Sequence, residues 1–343
     1  MSLRARTLPF LAVLGATALL AGCASGPTDD EAAAGSTEGF PVSLANSYGT
    51  TEIESAPESV ATVAWGNQDV ALALGVVPVG MPFITYADDN GDGILPWVQD
   101  ALDELGGETP VLFDEVDGIN FEQVADTAPD VILAANSGLS EEDYSTLTEI
   151  APTVSFPSVA WFTTWRESTL INGEALGKKA EAEDLITDTE TVISDAAAAN
   201  ASLDGLSFAY IWVDPSDLST IYVYLPDDQR VAFLHELGMV DSDGVTQLAG
   251  ENDGAFFATL SSENLDLLAD ADLIINYGGA DTLAAMQANP LLSALPAVQS
   301  GAVAIIDESD SIAAAVSTPT VLSIPWAIDA YAGLLSEAAA KVQ

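Results

Sequence analysis

Hydrophobic positions in this chain switch between two periods. Short runs that are almost wholly apolar and often β-branched are Ser59–Ala64 (SVATVA), Val76–Gly80, Val131–Ala135 (VILAA) and Thr153–Phe156. They predict strands buried on both faces, as in a parallel sheet. Between them, Gln68–Gly75 and Phe121–Ala128 carry the helical pattern, the second stopped by Pro129. The alternation returns later. Phe208–Val213 (FAYIWV) and Ile221–Leu225 predict strands, Arg230–Leu237 a helix closed by Gly238, and Leu273–Asn276 and Val303–Ile306 two more strands. Strands alternating with helices predict α/β layers.

The segment between the two sets, Trp165–Ala201, has no strand signal and no proline. Leu170, Ala175, Leu176, Ala180, Leu185, Ile186 and Ile193 recur at near-helical spacing. A helix of about 25 residues spans roughly 37 Å, the width of a small domain. The expected architecture is therefore α/β: an N-terminal lobe over 41–164, one inter-lobe helix over 165–201 and a C-terminal lobe over 202–343. A weak repeat agrees with it. Phe121–Gly138 (FEQVADTAPDVILAANSG) and Ser262–Gly279 (SENLDLLADADLIINYGG) each begin with Glu on a helix start, run through Asp into a strand and end in a polar, Gly-containing loop.

The first 22 residues have a different pattern. Arg4 and Arg6 precede an apolar run, Leu8–Leu20, too short for an ordinary transmembrane helix and suited to a secretory signal. Leu20-Ala21-Gly22-Cys23 resembles a bacterial lipobox, which implies cleavage before Cys23 and lipid attachment to it. Residues 23–40 are then the lipidated Cys and a flexible spacer rich in Gly, Ser, Thr and acids. The expected location is the outer face of the cytoplasmic membrane, held through the lipid alone.

Charge narrows the partners. The chain of 343 residues has 53 acids and 7 bases, a formal net charge of −46. Loss of Arg4 and Arg6 with the leader leaves five bases. Nucleic acid is excluded as a partner, since phosphates call for clustered Lys and Arg. Cys23 is the single cysteine and His235 the single histidine. Neither an internal disulfide nor a site with two histidine ligands can form. No nucleophile elbow, Walker loop or dinucleotide fingerprint occurs, which argues against an enzyme. A two-lobed metal-assisted hydrolase using clustered carboxylates is the weaker alternative.

At this point the chain resembles a known family. ALGVVPVGMP (Ala73–Pro82) and APDVILAANSGLSEEDYSTLTEIAPTV (Ala128–Val154) look like the first lobe of the substrate-binding proteins of ABC importers for iron-siderophores and cobalamin. RVAFLHELG (Arg230–Gly238) and NPLLSALPAVQSGAVAIID (Asn289–Asp307) look like the second. The resemblance implies the class III periplasmic-binding-protein fold, a ligand cleft between lobes, no intrinsic cofactor, and a permease with its ATPase as partners of a monomeric receptor. It also implies that an acidic residue on each lobe meets permease arginines, and the matching positions are Glu122 and Glu263.

Loops leaving parallel strands converge at their carboxyl ends. The residues placed there are Trp65, Tyr86, Asn136, Trp161 and Arg166 on one side and Trp212, Tyr224, Arg230, Phe256 and Tyr277 on the other, with Tyr222 and Phe257 near comparable loops. Ferric catecholates are polyanions, whereas Arg166 and Arg230 are the two cations credible in a cleft. A neutral or cationic ferric hydroxamate fits best, its oxygens accepting from Arg. A haem or cobalamin receptor of the same fold is the alternative. Asp88, Asn90 and Asp92 begin a D-x-N-x-D-G calcium loop, yet Gln99 stands where the bidentate Glu belongs. An Asx/Gly turn is the competing reading.

Overall fold

The computed structural model describes residues 39–342; the leader, Cys23 and most of the spacer lie outside them. A hairpin that the sequence reading did not anticipate comes first, β1 (Val42–Asn46) and β2 (Gly49–Ile53). The first lobe follows: β3 (Val60–Thr62), α1 (Asn67–Ala73), β4 (Gly80–Pro82), α2 (Pro96–Leu105), β5 (Val111–Phe113), α3 (Phe121–Asp126), β6 (Val131–Ala134), α4 (Glu141–Ile150) and β7 (Thr153–Ser155). Its five strands are all parallel, in the order β5-β4-β3-β6-β7. Successive residues of a strand pack into different cores, Val131 and Leu133 into one and Ile132 and Ala134 into another. Two-faced burial is why these strands read as unbroken apolar runs. The strand expected at Val76–Gly80 is displaced to Gly80–Pro82. Pro78 has no N–H to give a ladder, and regular pairing with β5 starts at Gly80.

The segment 165–201, expected as one helix, is two: α5 (Trp165–Ala175) and α6 (Lys179–Ala199, 21 residues). Gly177 breaks it with φ +68°, and a side chain there would come within 2.5 Å of Phe40. Helix α5 packs on α1 of the first lobe, and α6 leads into the second.

The second lobe contains β8 (Ser207–Asp214), β9 (Asp217–Tyr224), α7 (Gln229–Glu236), β10 (Val240–Asp241), α8 (Asp243–Glu251), β11 (Phe257–Leu260), a 3-10 segment (Ser262–Leu268), β12 (Leu273–Tyr277), α9 (Thr282–Ala288), α10 (Pro296–Ser300), β13 (Val303–Ile306), α11 (Ser311–Ser317) and α12 (Ser323–Ala339). Its sheet runs β11-β9-β8-β12-β13, with β10 also on β8. It is mixed rather than a parallel copy of the first. Strands β8 and β9 are joined by two residues, held by Asp214 accepting from the Ser216 N–H at 2.8 Å, and so short a link permits only antiparallel neighbours. One apolar core includes side chains of both sheets and of helices α6, α7 and α12, so the lobes share packing beneath the cleft. Each large side chain buried there stabilises by about 1.5–3 kcal/mol. No helix among the described residues is long and apolar enough to cross a membrane.

Candidate functional site

A cleft of about 800 Å³ lies between the lobes. On the first-lobe side, Trp65 follows β3, Tyr86 follows β4, and Trp161 follows β7. The turn Ala64-Trp65-Gly66 that presents Trp65 has left-handed backbone at both flanks, φ +61° and +75°. Side chains hold it in place. Glu115, from the loop after β5, accepts the Ala64 N–H at 3.0 Å, and Asn136 Nδ2 donates to the Trp65 carbonyl at 3.2 Å. Asn67 donates to the carbonyls of Val63 and Asn136 at 2.9 and 3.0 Å, closing a buried amide network between α1 and the loop after β6. Trp161 has φ +66°, and its indole lies so close to Gly138 that a Cβ there would collide with Nε1. Burial pushes the Glu115 carboxyl up to about 7, with the Ala64 N–H pulling the other way.

The second lobe supplies an aromatic face. Trp212 and Tyr222 are cross-strand partners on β8 and β9 with ring centroids 5.8 Å apart, and Tyr222 meets Phe257 of β11 edge-on at 5.1 Å. Behind them, fully buried Tyr210 supports Tyr224 at 5.1 Å and Tyr277 at 5.5 Å. Pairs at these separations each add about 0.5–1.5 kcal/mol beyond area burial. The Arg230 guanidinium lies 4.0 Å above the Tyr224 ring and is clamped through Nε and Nη2 to Asp228 at 2.7 and 2.8 Å. Nη1 has no protein acceptor among the described residues, leaving a donor for a bound oxygen. Burial disfavours the charged form of Arg230, but Asp228 outweighs it and the pKa is raised. Burial likewise pushes Tyr224 up to about 12, with Arg230 opposing.

Seven of the ten expected ligand residues thus line one cavity: Trp65, Tyr86, Trp161, Trp212, Tyr224, Arg230 and Tyr277. Three are placed elsewhere. Asn136 is buried behind Trp65 and braces its turn. Phe256 packs on Phe162 at 4.2 Å, outside the lining. Arg166 is tied to Glu190 of α6 at 2.6 Å and to Glu236 of α7 at 2.8 Å, so it joins helices and does not face the cavity. Sequence reading missed Glu308, Ser317 and Thr318 in the lining, although Glu308 follows the expected strand Val303–Ile306 by two residues and obeys the same strand-end rule.

The remaining candidates are equally well defined. Glu122 is exposed in the first turn of α3, and Glu263 is exposed at the start of the 3-10 segment. In the Asp88–Gly93 loop, Asp88 accepts the N–H groups of Gly91 and Gly93 at 3.0 and 2.7 Å, and Asp92 accepts that of Ile94 at 2.8 Å. The Asp92 bond, and the Asp92 N–H donated to Asn90 Oδ1 at 2.9 Å, are those of Asx turns, and Asn90 Nδ2 donates to Asp92 at 2.9 Å. Gln99, at the twelfth position, lies on α2 and donates to Asp103. No group of three or more His, Cys, Asp or Glu side chains is assembled for a metal ion among the described residues. His235 lies in the last turn of α7 with Nε2 3.1 Å from Asp241.

A family model described as periplasmic binding protein matches residues 60–309. Among solved structures, PiaA of Streptococcus pneumoniae TIGR4 in complex with ferrichrome is 38% identical, with a TM-score of 0.83 over 88% of this chain and 100% of that one. A periplasmic solute binding protein from Mycobacterium smegmatis is 25% identical, with a TM-score of 0.71 over 87% and 98% of the two chains. Staphylococcus aureus SirA complexed with staphyloferrin B, at 23% identity and a TM-score of 0.66 over 86% and 98%, shares the fold. No curated protein sequence matches. Two α/β lobes linked through helices α5 and α6, a cleft at their strand ends and a family match over most of the described chain lead to one assignment: this chain belongs to the periplasmic binding protein family.

Proposed function

We propose that this chain is the solute-binding receptor of an ABC importer that captures a ferric siderophore, with hydroxamates favoured, and delivers it to the permease for iron uptake. The observation that carries the reading is the composition of the cleft. Aromatic rings form its walls, and its single guanidinium is already matched by Asp228. A ferric catecholate brings several negative charges into partly desolvated surroundings and finds no surplus cation, a costly arrangement. A ferric hydroxamate with no net negative charge presents apolar backbone to the rings and oxygen acceptors to Arg230. PiaA, an iron uptake ABC transporter substrate-binding protein, has been solved in complex with ferrichrome. In this reading the siderophore supplies every iron ligand, and the protein performs no chemistry.

The finer features belong to the same proposal. Cys23 carries the lipid that holds the receptor at the outer face of the membrane. Glu122 and Glu263, exposed on the two lobes, pair with permease arginines. The cleft residues are tested by substitution: Trp65→Ala and Tyr224→Ala each weaken ferrichrome binding by about tenfold or more, in line with losing an aromatic wall. Unchanged affinity in both variants would refute the cleft as the site.

A further inference from the structure

We infer that Glu308 makes this cleft selective for cargo bearing a positive charge, so that among ferric hydroxamates it prefers those with a pendant ammonium group. The inference rests on the reading of the cleft as a ferric hydroxamate site and refines it.

Strand β13 ends at the cleft in a turn with three acids, Asp307, Glu308 and Asp310. Two of them serve the backbone. Asp307 accepts the N–H and hydroxyl of Ser309 at 3.0 and 2.7 Å, and Asp310 accepts the Ile312 N–H at 2.9 Å, capping α11. Glu308 has no such task. Its side chain lines the cavity, and its one hydrogen bond is from Trp212 Nε1 to Oε1 at 3.2 Å. No Lys or Arg among the described residues pairs with it.

Charge accounting then gives the sign. Arg230 and Asp228 form a neutral pair, so Glu308 leaves the cleft with an uncompensated negative charge. Trp212, which donates to it, pairs with Tyr222 in the same cavity wall, and the faces of such rings attract cations. Its field reaches both lobes: burial is the main cause that raises the Tyr86 hydroxyl, then Tyr277, and Glu308 adds in the same direction. An ammonium placed there meets a carboxylate and aromatic faces together. An anion meets repulsion.

The test titrates wild type and Glu308→Gln at low salt by tryptophan fluorescence quenching. The probes are ferrioxamine B, which has a free ammonium, its N-acetylated neutral form, and neutral ferrichrome. Wild type is expected to favour ferrioxamine B over the acetylated form by about tenfold, the scale of a surface ion pair reinforced by cation–π contact. In Glu308→Gln, which keeps an acceptor for Trp212, that ratio shrinks to about threefold or less. In Glu308→Lys the preference inverts. Thermal unfolding of each variant, with Tm within a few degrees of wild type, confirms that the exposed substitution leaves the fold intact. A wild-type ratio under about twofold, or a ratio undiminished in Glu308→Gln, overturns the inference while ferrichrome binding still supports the site. Absence of binding by all three probes removes the hydroxamate reading itself, and this inference with it.

Discussion

Thr320 donates its hydroxyl to Asp69 Oδ2 at 2.6 Å, joining α1 of the first lobe to the segment just before α12. Trp97 Nε1 donates to the same oxygen at 2.7 Å. The Thr320 methyl faces Gly66, where a Cβ would approach to 2.9 Å, so the clamp adjoins the turn that presents Trp65. A buried acid therefore fastens the floor of the cleft to the rest of the chain.

Burial pushes the Asp69 carboxyl up to about 6, against the hydrogen bonds from Thr320 and Trp97 that pull it down, and Glu115 stands at about 7. Each folded-state value lies above the unfolded one, so the folded protein holds these protons more tightly. The stability they contribute is complete below about pH 4 and is lost as pH rises through about 6 and 7. At about 1.4 kcal/mol per unit, each group accounts for on the order of 3 kcal/mol. Thermal unfolding should show Tm falling by several degrees between about pH 4.5 and 8, and falling less in Asp69→Asn and Glu115→Gln. A flat or rising wild-type profile would contradict this assignment.

Arg166 binds Glu190 and Glu236 outside the cleft, with its guanidinium 4.1 Å over the Trp165 ring. Arg166→Ala is expected to lower Tm by a few degrees, reflecting about 1 kcal/mol from a partly exposed network, and to leave ferrichrome affinity within about twofold. A tenfold loss of affinity at unchanged stability would place Arg166 in the site after all.

With five bases beyond the leader against 53 acids, most carboxylates have no basic partner. Their mutual repulsion is screened by salt, so Tm should rise with moderate sodium chloride. Calorimetry across about 0.05 to 1 M measures it, and a constant Tm would mean that the acidity carries no cost to stability.

Charge reversal at both Glu122 and Glu263 should abolish iron uptake in cells while ligand affinity stays as in wild type, since both are exposed and neither lines the cavity. Transport that persists would dispose of their role at the permease.

The strands were legible because burial on both faces leaves unbroken apolar runs: Val131–Ala135 and Val303–Ile306 match β6 and β13 within a residue. The helix break at Gly177 was not, because a glycine inside a helical pattern is tolerated and the packing of Phe40 that exploits it is tertiary. Aromatic residues at strand ends found most of the cleft by a rule of topology. The same rule misassigned Arg166, whose partners are 24 and 70 residues away, and Asn136, whose amide is spent on the neighbouring turn. Glu308 was hidden by composition, as one acid among 53.

The most direct test is a side-by-side fluorescence titration of the wild-type protein with ferrichrome and a ferric triscatecholate. The cleft described here predicts tight, saturable quenching by ferrichrome through Trp65, Trp161 and Trp212, and weak or no quenching by the catecholate. Tight binding of the catecholate alone would contradict it.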